Sequence, residues 1–345
     1  MQHAWMWAVF GGIIVTMLAL DLGVFHRSAH RVSPREAATW SAVWVSLALA
    51  FAGGLWFVEG RDTAMAFLAG YVVEEALSVD NLFVFLLLFT YFKVPEALQH
   101  RVLFWGIIGA LVMRGIMTAL GAILIDRFHW IIYVFGAFLV FTGIRMLLQQ
   151  DAELEPERNP VLRLVRRIMP VSDTYSGDRF FVRAPWGPDG VIRRVATPLF
   201  VVLVLVETTD VVFAVDSIPA VFGITKDPFI VFTSNIFAIL GLRSLYFLLA
   251  AVVHKFWALK PALSLVLMFV GAKMLASGVY HVPVTLSLGV IVAVLGGSVA
   301  ISLLFPRDDE SPAASATPLP APSATASDTA HGAPASAGRT SSSAA

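Results

Sequence analysis

The chain has 345 residues, of which 58% are hydrophobic and 14% are charged, and its formal net charge is zero. A soluble protein typically has about 45–50% apolar and about 25% charged residues, so this composition indicates an integral membrane protein. The neutral charge offers no electrostatic support for a nucleic-acid partner. The sequence contains no cysteine, which excludes disulfides, thiolate catalysis and thiolate metal sites within these residues.

Nine apolar segments are long enough to cross a bilayer as helices, which requires about 20 residues each. The first segment lacks the basic start and the small-residue cleavage site of a signal peptide, so we expect it to remain as a spanning helix. The predicted spans are residues 5–25, 39–58, 66–91, 102–125, 130–149, 197–222, 229–253, 261–280 and 284–305. The sequence therefore predicts an all-α polytopic membrane protein whose membrane domain covers residues 1–305.

Basic residues alternate between the loops that join these spans. The loops after the first, third, fifth and seventh spans carry Lys and Arg, and the fifth loop (150–196) alone carries eight arginines. The other loops are short and poor in both residues. Because basic residues favour cytoplasmic loops, this alternation predicts an N-terminus outside the cell and a C-terminus in the cytoplasm.

The fifth loop is the largest segment predicted to lie outside the membrane. Its stretch "NPVLRLVRRIMP" predicts a short basic amphipathic helix at the membrane surface. The stretch "RFFVRAPWGPDGVIRRV" predicts two short strands around a Pro/Gly turn. A plain connector without activity is the simpler interpretation of this loop. The Ala-, Ser- and Pro-rich residues 306–345 cannot bury a core, and we expect them to be disordered.

Spans 3–5 and spans 6–8 carry matching residues at a nearly constant spacing. "VFTGIRMLL" (140–148) aligns with "MFVGAKMLA" (268–276), and "SVDNLFVF" (78–85) aligns with "AVDSIPAVF" (214–222). The charged residues that these matches pair are Glu74 with Asp210, Asp80 with Asp216, Arg114 with Arg243, and Arg145 with Lys273. Since three helices is an odd number, the second copy enters the membrane upside down. Such inverted 3+3 repeats are typical of secondary transporters.

Carboxylates within spanning helices are rare, because an Asp at the helix centre costs about 2.5–3.5 kcal/mol on insertion. Intramembrane acids usually face the bundle interior and mark ion or proton routes. The acids here are Glu74, Glu75, Asp80, Glu207, Asp210 and Asp216. They outnumber the cations Arg114, Arg145, Arg243 and Lys273, which we interpret as supporting charge pairs. Some carboxylate charge is therefore available for a cation that is not part of the protein, although purely structural ion pairs are the alternative.

The predicted ligands for such a cation are all oxygen donors. They are Glu74, Asp80, Asn81, Glu207, Asp210, Asp216 and Ser217. This set suits Mg²⁺, Ca²⁺ or Mn²⁺, whereas no histidine lies deep within a span, which argues against zinc, copper and nickel. A route for protons alone remains open.

The acids of one span are separated by six residues, so on an unbroken helix they point in different directions. This applies to Glu74 and Asp80 and equally to Asp210 and Asp216. Either each acid faces a different neighbour, or the helices unwind between them. Pro219 favours a break at Asp216 in the sixth span, because proline removes a backbone donor.

Several of these stretches resemble the TerC/Alx family of integral membrane proteins. They are "LDLGVFHR" (20–27), "EEALSVDNLFVF" (74–85), "YVFGAFLVFTGIRM" (133–146), "ATPLFVVLVLVETTDVVFAVDSIPAVF" (196–222) and "DPFIVFTSNIFAILGLRSLYFLLA" (227–250). The resemblance runs over about residues 1–305. It implies a manganese exporter of the bacterial inner membrane, in a grouping similar to LysE-type exporters. The family is named for tellurium resistance, and its acidic residues fall on Glu74, Asp80, Glu207, Asp210 and Asp216.

Two functions follow from these observations. The first is a secondary transporter that exports a divalent cation, most readily Mn²⁺, with proton antiport as its energy source. The chain has no Walker motif for ATP. The second is a membrane scaffold in tellurite or envelope stress resistance, without transport of its own. Neither is an enzyme or needs a prosthetic group. The expected partners are the lipid bilayer, the metal ion and protons, with a homo-oligomer or a stress complex left open.

Overall fold

The computed structural model describes residues 4–25, 33–148, 160–172, 174–186, 191–250, 257–280 and 282–305. Three sequence predictions fall outside this part of the chain: the tail from residue 306, the first loop at residues 26–32, and the start of the fifth loop at residues 149–159. The side chain of Asp80 is also outside it, although its backbone belongs to a described helix.

Ten α-helices and one two-stranded sheet make up the described residues. They are α1 (Ala4–Phe25), α2 (Pro34–Val58), α3 (Arg61–Tyr91), α4 (Glu96–Arg127), α5 (Ile131–Leu148), α6 (Pro160–Ile168), β1 (Phe181–Trp186), β2 (Val191–Ala196), α7 (Pro198–Phe222), α8 (Pro228–Ala250), α9 (Leu259–Ala276) and α10 (Val284–Leu304). The prediction of an all-α polytopic membrane protein is confirmed.

Seven of the described helices are long and apolar enough to cross a membrane, namely α2, α4, α5 and α7 to α10. The other two predicted spans correspond to α1 and α3. In α1 the side chains are described only over Trp5–Met17, which are too few residues to count as a span, and α3 carries acidic residues in its middle. Length and composition thus account for seven spans, and the count of nine stays a prediction.

Both acid-bearing helices are continuous. Helix α3 runs unbroken from Arg61 to Tyr91, and α7 runs from Pro198 to Phe222 with Pro219 inside it. The unwinding expected between Asp210 and Asp216 is therefore wrong, because the helix continues through Pro219. These two acids, six residues apart on one helix, consequently point in different directions and face different neighbours.

Helix α8 lies at the centre of the bundle. In its spanning window 89% of the residues are buried, against 44% or less in the other six spans. It packs against α2, α3 and α4, while α3 also contacts α7 and α10. Helices α4 and α7 form a further pair, and α5 and α9 form another. Helix α3, which carries Glu74, therefore packs directly on the most buried helix.

The packing of α5 on α9 supports the repeat. In the predicted alignment Gly143 corresponds to Gly271, and Gly136 corresponds to Ser264. A Cβ added at Gly271 would lie 2.7 Å from the carbonyl oxygen of Gly136, and one added at Gly143 would lie 2.8 Å from that of Ser264. Matched residues thus exchange partners, as a two-fold relation between α3–α5 and α7–α9 would require. The inverted orientation of the two copies stays a prediction.

The fifth loop packs on the ends of the membrane helices. Strands β1 and β2 form an antiparallel hairpin, and β2 leads directly into α7. The hydroxyl of Thr197 donates to the backbone carbonyl of Arg179 at 2.8 Å. The hydroxyl of Tyr175 donates to the backbone carbonyl of Phe92 at 2.7 Å. These bonds join the loop to the start of α7 and the end of α3.

We expect Gly271→Ala to destabilise the protein. The added methyl group would meet a backbone carbonyl that cannot move away, so α5 and α9 would have to separate, and overpacking typically costs about 1–3 kcal/mol. The apparent melting temperature of the purified protein in detergent should fall. Gly296→Ala in α10 is the matched control, because its Cβ would meet nothing within 4 Å. Equal melting temperatures for the two variants would contradict the close α5–α9 contact.

Candidate functional site

Arg114 of α4 is the centre of a fully buried polar cluster. Its Nη1 donates to Glu74 Oε2 of α3, to Asn235 Oδ1 of α8 at 2.7 Å and to Ser217 Oγ of α7 at 3.4 Å. Its Nη2 donates to Asp210 Oδ1 of α7 at 3.4 Å. One guanidinium therefore connects four helices, α3, α4, α7 and α8.

The burial of this cluster explains why each partner is needed. Arg114, Glu74 and Asn235 are 0% exposed, and Asp210 is 4% exposed. A charge at such depth is stable only when it is paired and hydrogen-bonded. The amide nitrogen of Asn235 donates to the carbonyl of Val231 at 3.0 Å, which turns its Oδ1 toward Arg114. The cluster is thus arranged to hold one positive charge.

The carboxylates of the cluster keep free acceptor capacity. Glu74 Oε1 and Asp210 Oδ2 are buried and receive no hydrogen bond from any residue that the structure describes. One turn further along α3 and α4, the hydroxyls of Ser78 and Thr118 are also buried and have no hydrogen-bond partner among the described residues. Buried polar atoms normally have a partner, so such atoms call for water or an ion.

A small cavity adjoins this cluster. Its volume is about 10 Å³, close to the minimum for one water molecule. Glu207 and Asp210 contribute its acidic walls, and the remaining lining is apolar, including Phe85 and Ile107. The carboxylate of Glu207 also lies against the backbone of α4 at Gly109, where any Cβ would collide with it. Asp210 therefore borders both the Arg114 cluster and the cavity.

Asp216 belongs to a different environment. It is half-buried, and its Oδ1 accepts a hydrogen bond from Thr142 Oγ1 of α5 at 3.3 Å. Arg145, one turn beyond Thr142, interacts electrostatically with it. Lys273 of α9, which the repeat matches to Arg145, is also half-buried. Asp216 therefore faces α5 and not the Arg114 cluster.

The structure brings together only part of the predicted ligand set. Glu74, Asp210 and Ser217 meet at Arg114, and Glu207 joins them through the cavity. Asn81 is buried in α3. Among the side chains that the structure describes, no three His, Asp or Glu residues are placed to hold a metal ion together. The cation at this position is Arg114 itself, and the seven-residue metal site stays a prediction.

Three residues of these environments were not predicted. Asn235, Thr118 and Thr142 are uncharged, so the cost of burying a charge does not single them out. The signal for Asn235 was present in the sequence, because "TSN" at 233–235 interrupts a strongly apolar span. For the two threonines no comparable signal existed, since threonine is common in membrane helices.

Comparison with known proteins identifies the family. The profile of the integral membrane protein TerC family matches residues 59–310. The chain belongs to the TerC family. The match begins just before α3 and extends past the end of α10, so it contains every residue of the Arg114 cluster.

Three bacterial relatives cover nearly the whole chain. The chain is 51% identical over 302 residues to "Uncharacterized membrane protein STKORF319" of Myxococcus xanthus, covering 88% of this chain and 93% of that one. It is 48% identical over 299 residues to "Putative membrane-bound redox modulator Alx" of Escherichia coli K12, covering 84% and 91%. It is 37% identical over 289 residues to an uncharacterized membrane protein of Rickettsia bellii, covering 84% and 94%. The resemblance to the TerC/Alx family is confirmed. No solved structure matches the chain.

We expect Arg114→Met to reduce stability severely. It leaves Glu74 and Asp210 buried without their counter-charge, and breaking a buried pair in this way costs about 3–5 kcal/mol. The yield of folded protein and its melting temperature should both fall. Adding Glu74→Gln and Asp210→Asn to the same variant should recover part of the loss, because the orphaned charges are removed.

Arg145→Met is the matched control for this series. Arg145 interacts with Asp216, which is only half-buried, so its removal should cost less. If Arg145→Met and Arg114→Met lowered the melting temperature equally, the Arg114 cluster would not be the dominant buried charge arrangement.

Proposed function

We propose that this protein is a secondary transporter that exports a divalent metal cation, with Mn²⁺ as the substrate, across the bacterial inner membrane. The observation that supports this most directly is the pair of buried carboxylates, Glu74 and Asp210, each with one oxygen that no described residue donates to. Intramembrane carboxylates of this kind are typical of ion routes. The proposal requires no chemical reaction and no prosthetic group.

The charge balance of the site fits a divalent ion. Glu74, Glu207 and Asp210 carry three negative charges when all are ionised, and Arg114 balances one of them. The remaining two negative charges match M²⁺. Arg114 and the metal would share the same carboxylates, so a bound metal has to draw Glu74 or Asp210 partly away from the guanidinium. Movement of α3 and α7 relative to α4 would achieve this.

The choice of metal rests on the donor atoms and on the family. Carboxylate, hydroxyl and amide oxygens suit hard cations, a group that includes Mg²⁺, Ca²⁺ and Mn²⁺. The resemblance to Alx-type members, which are implicated in manganese export, selects Mn²⁺ from this group. The orientation with the N-terminus outside follows from the basic loops and belongs to the same proposal.

The second candidate function is a membrane scaffold without transport of its own, and the name of the Alx relatives bears on it. Alx of Escherichia coli is named as a putative redox modulator. A thiol-based redox role would need cysteine, and these 345 residues contain none. We therefore keep as the second candidate a scaffold that acts through a partner protein. This candidate predicts no metal flux.

Manganese uptake into proteoliposomes separates the two candidates. The purified protein, reconstituted with a manganese-sensitive dye inside and an imposed pH gradient, should give uptake well above that of empty liposomes. Glu74→Gln, Asp210→Asn and Glu207→Gln should each lower the uptake rate at least about tenfold, because each substitution replaces a carboxylate that is proposed to bind the metal with a neutral amide. The inferred ligands Asp80 and Asp216 should behave similarly as Asn variants.

Asp62→Asn is the matched control, since Asp62 is exposed in the first turn of α3. It should transport at the wild-type rate. Uptake equal to that of empty liposomes in the wild type would favour the scaffold. Wild-type rates for Asp210→Asn would remove the Arg114 cluster from the transport route.

Manganese affinity should fall as the pH falls. A carboxylate binds either a proton or the metal, and metal binding requires the deprotonated form. Calorimetric titration in detergent between pH 5.5 and 8.5 should show a loss of about tenfold per pH unit for each proton that the metal displaces. The same competition lets protons entering from outside release the metal there. A flat affinity would contradict antiport while leaving the carboxylates as ligands.

A further inference from the structure

A wide cleft lies where the fifth loop meets the membrane helices. Its volume is about 740 Å³. Its floor is formed by the end of α3, at Tyr91 and Phe92, and by the start of α7, at Pro198 and Val201. Since α7 is a spanning helix that begins here, the cleft lies at the boundary between the membrane and water.

The walls of this cleft carry three arginines. Arg166 and Arg167 come from α6, and Arg193 comes from β2. All three are exposed. No acidic side chain is among the described residues that line the cleft, and none of the three arginines forms an ion pair with a residue in the described ranges. The cleft is therefore a site of concentrated positive charge that is open to an anion.

The surface next to these arginines is apolar. Leu162 anchors α6 to the core at 2% exposure, whereas Leu164 and Ile168 on the same helix are 55% and 69% exposed. A helix with basic residues beside exposed Leu and Ile is the arrangement that binds at a lipid interface. A small soluble anion would use the arginines and leave the apolar side chains in water.

We propose that this cleft binds the phosphate headgroup of an anionic phospholipid. Arg166, Arg167 and Arg193 hold the phosphate, for which the planar guanidinium is well suited. Leu164 and Ile168 lie against the acyl chains. Juxtamembrane basic residues recognise anionic lipids in this way. The cleft shares no residue with the carboxylate cluster, and this proposal does not depend on metal transport.

The lipid would also fix the fifth loop to the membrane. Tyr175 already bonds the loop to the end of α3 through the carbonyl of Phe92, and Thr197 bonds it to the start of α7. A headgroup held by arginines of both α6 and β2 would add a further link between these two elements. Its removal should therefore lower the stability of the whole protein as well as the occupancy of the site.

Native mass spectrometry of the full-length protein tests this proposal. The purified protein is titrated with phosphatidylglycerol and, in parallel, with phosphatidylcholine that carries the same acyl chains. We expect tighter binding of phosphatidylglycerol and a rise in melting temperature that only this lipid produces. Equal binding of both lipids would overturn the proposal.

The double variant Arg166→Gln/Arg193→Gln should weaken phosphatidylglycerol binding about 25-fold, which is about fivefold for each arginine near a membrane surface. The control is Arg179→Gln/Arg183→Gln. It removes two exposed arginines of the same loop that do not line the cleft. The control should change the affinity less than twofold. An equal loss in both double variants would assign the effect to general surface charge and would reject the site.

Two further arms identify the source of the phosphate. Inorganic phosphate and glycerol phosphate are titrated as competitors of phosphatidylglycerol. Leu164→Ser/Ile168→Ser should weaken the binding of phosphatidylglycerol several-fold. Neither soluble anion should displace this lipid at millimolar concentration. Displacement by the soluble anions at equal affinity, with no effect of the two serines, would show a site for free phosphate and would overturn the lipid assignment.

Discussion

The buried charge of Arg114 is the constraint on which the membrane bundle depends. A guanidinium without access to water needs a negative charge and hydrogen-bond acceptors. Its two terminal nitrogens find these in Glu74, Asp210, Asn235 and Ser217 on three other helices. Because a hydrogen bond tolerates little displacement, the rotation and depth of α3, α7 and α8 around α4 are fixed together. Apolar packing alone would not fix them, since lipid tails are as apolar as Leu and offer every helix face a suitable neighbour.

The same charges that hold the bundle together are those that the proposed transport would use. A cation that enters the site competes with Arg114 for Glu74 and Asp210. It can favour a second arrangement of the helices only to the extent that it binds that arrangement more tightly than the present one. Glu74 Oε1 and Asp210 Oδ2 receive no hydrogen bond from the part of the chain that the structure describes, so the present arrangement leaves interaction energy unused at these atoms. A transport protein has to leave such energy available, because a completely satisfied cluster would give an incoming ion nothing to gain.

The fifth loop is connected to this site through α7. Strand β2 runs into α7 at Thr197, and the same helix then carries Glu207, Asp210 and Asp216. A ligand that fixes the loop at the membrane surface therefore acts on the first turn of the helix that supplies half of the predicted acids. The two sites nevertheless differ in chemistry. The cleft concentrates positive charge at the edge of the bilayer, whereas the cluster keeps negative charge in its interior.

The sequence by itself determined the membrane class, the long helices and the acids that lie within them. Hydropathy is sufficient for the helices, because a chain in a bilayer must satisfy its backbone within each segment. The cost of buried charge drew attention to six acids, and the repeat paired Glu74 with Asp210 just as it paired Asp80 with Asp216. Only the tertiary structure decided that both acids meet at Arg114, that Asp216 faces Thr142 instead, and that Asn235 completes the cluster. It also placed α8 at the centre. The physical reason is that spanning helices are apolar on every face, so their sequences do not record which face meets lipid and which meets protein. The partners of each buried charge are therefore defined only when the helices pack.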